Sequence, residues 1–139
     1  MTRGTWHSCA TVPWESHFAG RPQARALWDR LRALLEEMGP VTVVSTRSRV
    51  GFMTRVRFCG AVPRRDGLRV RFWLKREIDS ARFVWRQHLG HDDWIYDVLV
   101  HGPTDLDDEL VAWLGEARAV GDQAHLTGRA AGTEGARQA

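Results

Sequence analysis

The chain has 139 residues, 43% hydrophobic and 27% charged, enough apolar material for one globular domain with its own core. No run of about 18 apolar residues occurs, which excludes a transmembrane helix, and two cysteines are too few for a disulfide framework. Of 20 basic and 17 acidic residues, ten basic and one acidic fall between Arg47 and Arg76, so a +9 segment sits in a chain otherwise −6. A segregation of that size is the usual footprint of a surface that meets an anionic partner. Met1 to Ala10 has no apolar signal region, so a cytoplasmic location is expected.

Residues 1–21 lack a periodic pattern and carry Pro13 and Gly20. They are expected to form an irregular arm, pinned by some of Trp6, Trp14 and Phe18. A helix is predicted next. Pro22 suits its first turn, and Ala24, Leu27, Trp28, Leu31, Leu34, Leu35 and Met38 recur at three- and four-residue steps. Gly39 supplies a left-handed cap, and Pro40 prevents continuation.

From residue 41 to 75 the period becomes two. Strands are predicted at 41–45, 49–53, 55–62 and 68–75, the last two as a hairpin. Its tip, Arg65-Asp66-Gly67, reads as a three-residue loop with Gly67 in the left-handed region. That register pairs Val62 with Val70 and Phe58 with Leu74. It sends Val56, Phe58, Val70 and Phe72 to the core, and gathers Arg57, Arg69 and Arg71 with Trp73 on the other face, where Cys59 also points.

Residues 76–93 admit a short helix capped by Asp79 or Ser80, an edge strand or a loop. Residues 94–100 read as the last strand, with Trp94, Tyr96, Val98 and Val100 on one face. A final helix is predicted after Thr104 or Asp105, with acids at 107 to 109 favouring its positive end and Leu106, Leu110, Trp113, Leu114 and Ala117 as its stripe. The tail from 122 to 139 is Gly- and Ala-rich and is expected to be disordered.

The sum, with residues 22–121 as one domain, is an α+β fold. It has an antiparallel sheet of about five strands, and two amphipathic helices packed on one face. The other face is left with Arg57, Arg69, Arg71, Trp73, Lys75, Asp97 and His101. The expected function is a non-enzymatic binding module whose Arg-rich face holds an anionic partner. Guanidiniums pair bidentately with phosphate oxygens and an indole offers a stacking surface, so nucleic acid or another polyanion fits best. The ligand-binding candidates are Arg47, Arg49, Arg55, Arg57, Arg69, Arg71, Trp73, Lys75, Tyr96 and His101. Arg47 and Arg49 lie in "STRSRVGF", a loop of hydroxyls and guanidiniums that could cradle a phosphate. The alternative is a small-molecule protein or small enzyme with a carboxylate or phosphate pocket around Arg49, Arg55, Trp73, Tyr96 and His101.

No cofactor is expected, no catalytic residue is assigned and no membrane partner is foreseen; Asp97 with His101 as an acid–base pair, and the cluster His88, His91, Asp92 and Asp93 as a metal site, rest on composition alone.

The stretches "GPVTVVSTRSRVGFMTRVRFCGAVPRRDGLRVRFWLKREIDSARF" and "VLVHGPTDLDDELVAWLGEARAVG" are similar to the bacterial domain of unknown function 5655. The residues that carry the likeness are Gly39-Pro40-Val41, Ser48-Arg49-Val50-Gly51-Phe52, the strands at Phe58 and Phe72-Trp73-Leu74, and Leu106 to Leu110. The resemblance spans roughly residues 5 to 121 and implies a small α+β fold without a defined activity. It also implies a zinc-ribbon-like opening, Cys-x-x-Cys-Gly-Arg-x-Phe followed by His-Ser-Cys. "RGTWHSC" matches the second half, which makes His7 and Cys9 candidate metal ligands. Cys-x-x-Cys is absent, and a structural zinc needs four ligands.

Overall fold

Two amphipathic helices and six strands share one core in the computed structural model, which describes residues 12–123. A one-turn 3-10 helix, Trp14–Phe18, leads into α1 (Pro22–Glu37). Strands β1 (Thr42–Ser45), β2 (Val50–Met53), β3 (Arg57–Arg64) and β4 (Gly67–Leu74) follow. Then come β5 (Phe83–Gly90), β6 (Asp93–Val100), a 3-10 turn at Pro103–Asp105, and α2 (Asp108–Gly121). All pairings are antiparallel, in the order β1-β2-β3-β4-β6-β5. This is the α+β class the periodicity predicts, with six strands instead of about five.

The additional strand is β5. Its alternation is hidden by register shifts at both ends, between Phe83 and Trp85 and between His88 and Gly90. As an edge strand it contributes only Phe83 to the core. Bulges of this kind also blunt an edge against further pairing.

Both helices lie on one face. Trp28 of α1 stacks on Phe52, with centroids 4.5 Å apart, and Trp14 and Phe18 pack against the same indole. The expected anchoring of the arm therefore holds for Trp14 and Phe18; Trp6 lies outside the described residues. Trp113 of α2 stacks on Phe72, and Phe83 on Tyr96. Fully burying each such side chain contributes about 1.5–3 kcal/mol.

Gly39, with φ +137°, ends α1 as its sequence position predicts. Arg118 donates to the carbonyls of Gly39 at 3.1 Å and Pro40 at 2.8 Å, tying α2 to that exit. The α2 cap is Asp107, not Thr104 or Asp105. Its carboxylate accepts from the Leu110 N–H at 3.0 Å, while Asp105 accepts from the His101 N–H.

The β3–β4 register departs from expectation. Arg64 pairs with Gly67, Val62 with Arg69, Gly60 with Arg71 and Cys59 with Phe72, across a loop of only Arg65 and Asp66. Gly67 is not left-handed. It is required because the Val100 carbonyl occupies the place where a Cβ would sit. The clean separation of apolar from basic residues is achieved by a bulge instead. Between β2 and β3 the pairing jumps from Phe52–Cys59 to Met53–Arg57. Phe58 and Cys59 thereby both turn to the helices, and both are fully buried. Val56 is left exposed in the turn before β3, and Val62 is exposed on the open face.

Candidate functional site

The open face is built from cross-strand rows. One row runs Val44, Gly51, Gly60, Arg71, Asp97 and Trp85 across all six strands. Its neighbours set Val62 beside Arg69 and Leu99 on one side, and Trp73 beside Ile95 and Gln87 on the other. Arg57 lies beside Met53 on the same face. Trp73 is partly exposed, between Arg71 on β4 and Lys75 just beyond its end.

Asp97 is the centre of this face. Its side chain is 1% exposed and accepts from Arg69 Nε at 2.7 Å, Arg71 Nε at 2.8 Å and Arg71 Nη2 at 3.1 Å. The Arg71 guanidinium also lies over the Trp85 ring, 4.6 Å from its centroid. Together these contacts hold two long side chains in fixed positions on the sheet. A guanidinium has five N–H donors, so Asp97 occupies three of ten and leaves the rest for another acceptor. Arg69, Arg71 and Asp97 line a hollow of about 60 Å³ with Arg49, Gly60, Ala61 and Val62.

The other cations divide into two groups. Lys75 pairs with Asp92 and Asp93, which raises its pKa through the hydrogen bond to Asp93, and Arg76 pairs with Glu116 at 2.8 Å. Among the described residues, Arg47, Arg49, Arg55, Arg57, Arg64 and Arg65 have no carboxylate within ion-pair distance. The basic segment is thus partly neutralised around β4 and uncompensated around β2 and β3.

Several sequence-based assignments change. Tyr96 faces the helices, fully buried, with its hydroxyl accepting from the Ile78 N–H at 2.8 Å and donating to the Arg76 carbonyl at 3.0 Å. His101 follows β6 at the end of the sheet opposite the Arg55 turn, and its ring is 3.7 Å from Asp66. Asp97 and His101 therefore form no acid–base pair, and Arg49, Arg55, Trp73, Tyr96 and His101 do not surround one pocket. Cys59 lies in the core rather than on the basic face, and burial pushes its thiol pKa far up, away from thiolate chemistry.

The "STRSRVGF" stretch is a tight β1–β2 turn in which the Thr46 N–H donates to the Arg49 carbonyl. His17 Nε2 lies within hydrogen-bond reach of Ser45 Oγ and the Thr46 carbonyl. The Ser45 and Thr46 hydroxyls are engaged within the turn, and Arg49 is the residue of that loop that lines the hollow on the open face. His88 stacks on Trp94, and among the described residues no three His, Cys, Asp or Glu side chains converge on a metal position. His7 and Cys9 lie outside the described residues. No described helix is long and apolar enough to cross a membrane.

The residues that sequence reasoning passed over are Gly60, Val62 and Trp85, together with the role of Asp97 as an arginine clamp. Only the true register brings them together.

An α+β protein with one helix-covered and one arginine-bearing sheet face is the class these features define. The chain belongs to the family described as Domain of unknown function (DUF5655), whose model matches residues 14–119. No curated protein and no solved structure matches it.

Proposed function

We propose that this protein is a non-enzymatic binding module that holds nucleic acid on the open face of its sheet. The observation that carries the reading is the arginine array on that face. Arg49, Arg57 and Arg64 have no carboxylate partner among the described residues, and they flank the Asp97-held pair Arg69 and Arg71 beside Trp73. Guanidiniums placed along neighbouring strands suit phosphates in series, and the partly exposed Trp73 indole gives an unpaired base a surface to stack on.

Fluorescence anisotropy of a labelled single-stranded oligonucleotide tests this directly. Binding is expected at low salt, with log K falling as log salt rises by about 0.7 per neutralised phosphate. The double variant Arg49→Ala/Arg57→Ala is expected to flatten that slope by roughly one to two phosphates. No binding at about 100 μM protein, the weak end of non-specific affinity, would remove this reading.

A further inference from the structure

On the open face, Gly51 and Gly60 stand side by side on β2 and β3 and leave a stretch of sheet without side chains. Arg49 borders it from the β2 side, and Arg69 and Arg71 from β4, so the three guanidiniums bracket the bare backbone of β3. With Asp97 included, the formal charge of this group is +2. The hollow they share, about 60 Å³, exceeds several-fold the roughly 10–15 Å³ that one water needs. It has room for a small oxyanion.

We propose that this hollow is a seat for a single phosphate group, with Arg49, Arg69 and Arg71 as donors and Gly60 as its floor. The proposal rests on the nucleic-acid reading and specifies where on the face a phosphate docks. Three features favour an oxyanion here, and the charge favours phosphate over a carboxylate. Donors approach from both sides of β3, which suits the several acceptor oxygens of a tetrahedral oxyanion. The net charge suits a phosphomonoester dianion or a backbone phosphodiester. Two of the three donors are immobilised in advance, Arg69 by Asp97 and Arg71 by Asp97 and Trp85, so little side-chain freedom is lost on binding. Asp97 is a positioning residue in this arrangement.

Gly60 makes the seat testable. A Cβ built there would meet only the Val50 carbonyl, at 3.7 Å, an ordinary contact. Gly60→Ala therefore fits the fold while beginning to fill the hollow, and Gly60→Val fills it further with a residue that favours strands. The experiment follows backbone and arginine Nε–H resonances by ¹⁵N NMR. Inorganic phosphate, a 5′-phosphorylated oligonucleotide and its 5′-hydroxyl counterpart are titrated in turn into the native protein and both variants, with a thermal melt as the check on folding.

The native protein is expected to show saturable shifts at Gly60 and at the side chains of Arg49, Arg69 and Arg71 with phosphate alone. The Val variant is expected to lose them and to bind oligonucleotide roughly tenfold more weakly, about the size of one charge-assisted hydrogen bond. Tighter binding of the 5′-phosphorylated strand identifies a terminal phosphate as the occupant, and equal binding identifies the backbone. If native arginine resonances do not respond to phosphate, or folded Gly60→Val binds as the native protein does, the seat is wrong. Salt-dependent oligonucleotide binding would in that case still stand. Phosphate shifts without oligonucleotide binding would keep the seat and remove the nucleic-acid reading.

Discussion

Tyr96 shows how a single residue ties the open sheet to the connection that crosses it. Its hydroxyl holds the chain at Arg76 and Ile78 as the backbone leaves β4 and passes over β6 to reach β5. Burial raises the phenol's pKa, against the Ile78 N–H, which favours the phenolate. Because the fold prefers the neutral phenol, this contribution is intact below pH about 10, the ordinary tyrosine value, and is lost as pH rises through the higher native one. Tyr96 is the only tyrosine in the chain, so tyrosinate absorbance reads it alone. The native protein is expected to titrate above the denatured protein, and coincident curves would contradict this placement. The role of Tyr96 was hidden in the sequence. Period-two alternation put it with Trp94 and Val98 opposite Asp97 and His101, on the helix-covered face, but its hydroxyl's partners lie in 76–93, the stretch whose structure the sequence left open.

Among the elements, α2 depends most on its ends. At its start Asp107 accepts from Leu110 and pairs with Arg82, which also reaches Glu109 and the Asp105 carbonyl. At its finish the Gly121 carbonyl accepts from the N–H groups of both Arg55 and Val56. A Cβ at Gly121 would lie 2.6 Å from the Phe58 ring. The Leu110 N–H, followed by the Arg82 guanidinium, holds the Asp107 carboxyl below its usual pKa. Its stabilising effect is therefore present above the unfolded value of about 3.9 and is lost as pH falls through the lower native one. Asp107→Ala is expected to cost about 1 kcal/mol near neutral pH, measured by urea unfolding, with the difference from the native protein vanishing in strong acid. The helices were legible because a 3.6-residue stripe survives any tertiary arrangement, and Gly39 marked the end of the first. The cap was misplaced by two or three residues because Thr104, Asp105 and Asp107 are all competent cap residues; a 3-10 turn uses the first two. The β5 strand was ambiguous because two register shifts break the only signal a half-exposed edge strand carries.

For the molecule as a whole, the charge segregation seen in the sequence becomes a division of labour once folded. Acids from α2 and from the start of β6 with the turn before it neutralise Arg76 and Lys75, Asp97 locks Arg69 and Arg71, and the arginines flanking β2 and those on β3 are left over. The face-wide arginine pattern was legible from the repeated Arg-Val-Arg-Phe strands. Its internal geometry was not, because the two-residue Arg65-Asp66 loop decides which residues stand opposite Arg69 and Arg71, and a separate bulge at Phe58 sets the face that Arg57 takes. Chemical-shift mapping of backbone amides with a single-stranded oligonucleotide is the measurement closest to the central claim. The account predicts that perturbations concentrate on β2, β3 and β4 around Arg49, Arg57, Gly60, Arg71 and Trp73 and fade as salt rises. Perturbations confined to the exposed surfaces of α1 and α2, or none at all, would contradict it.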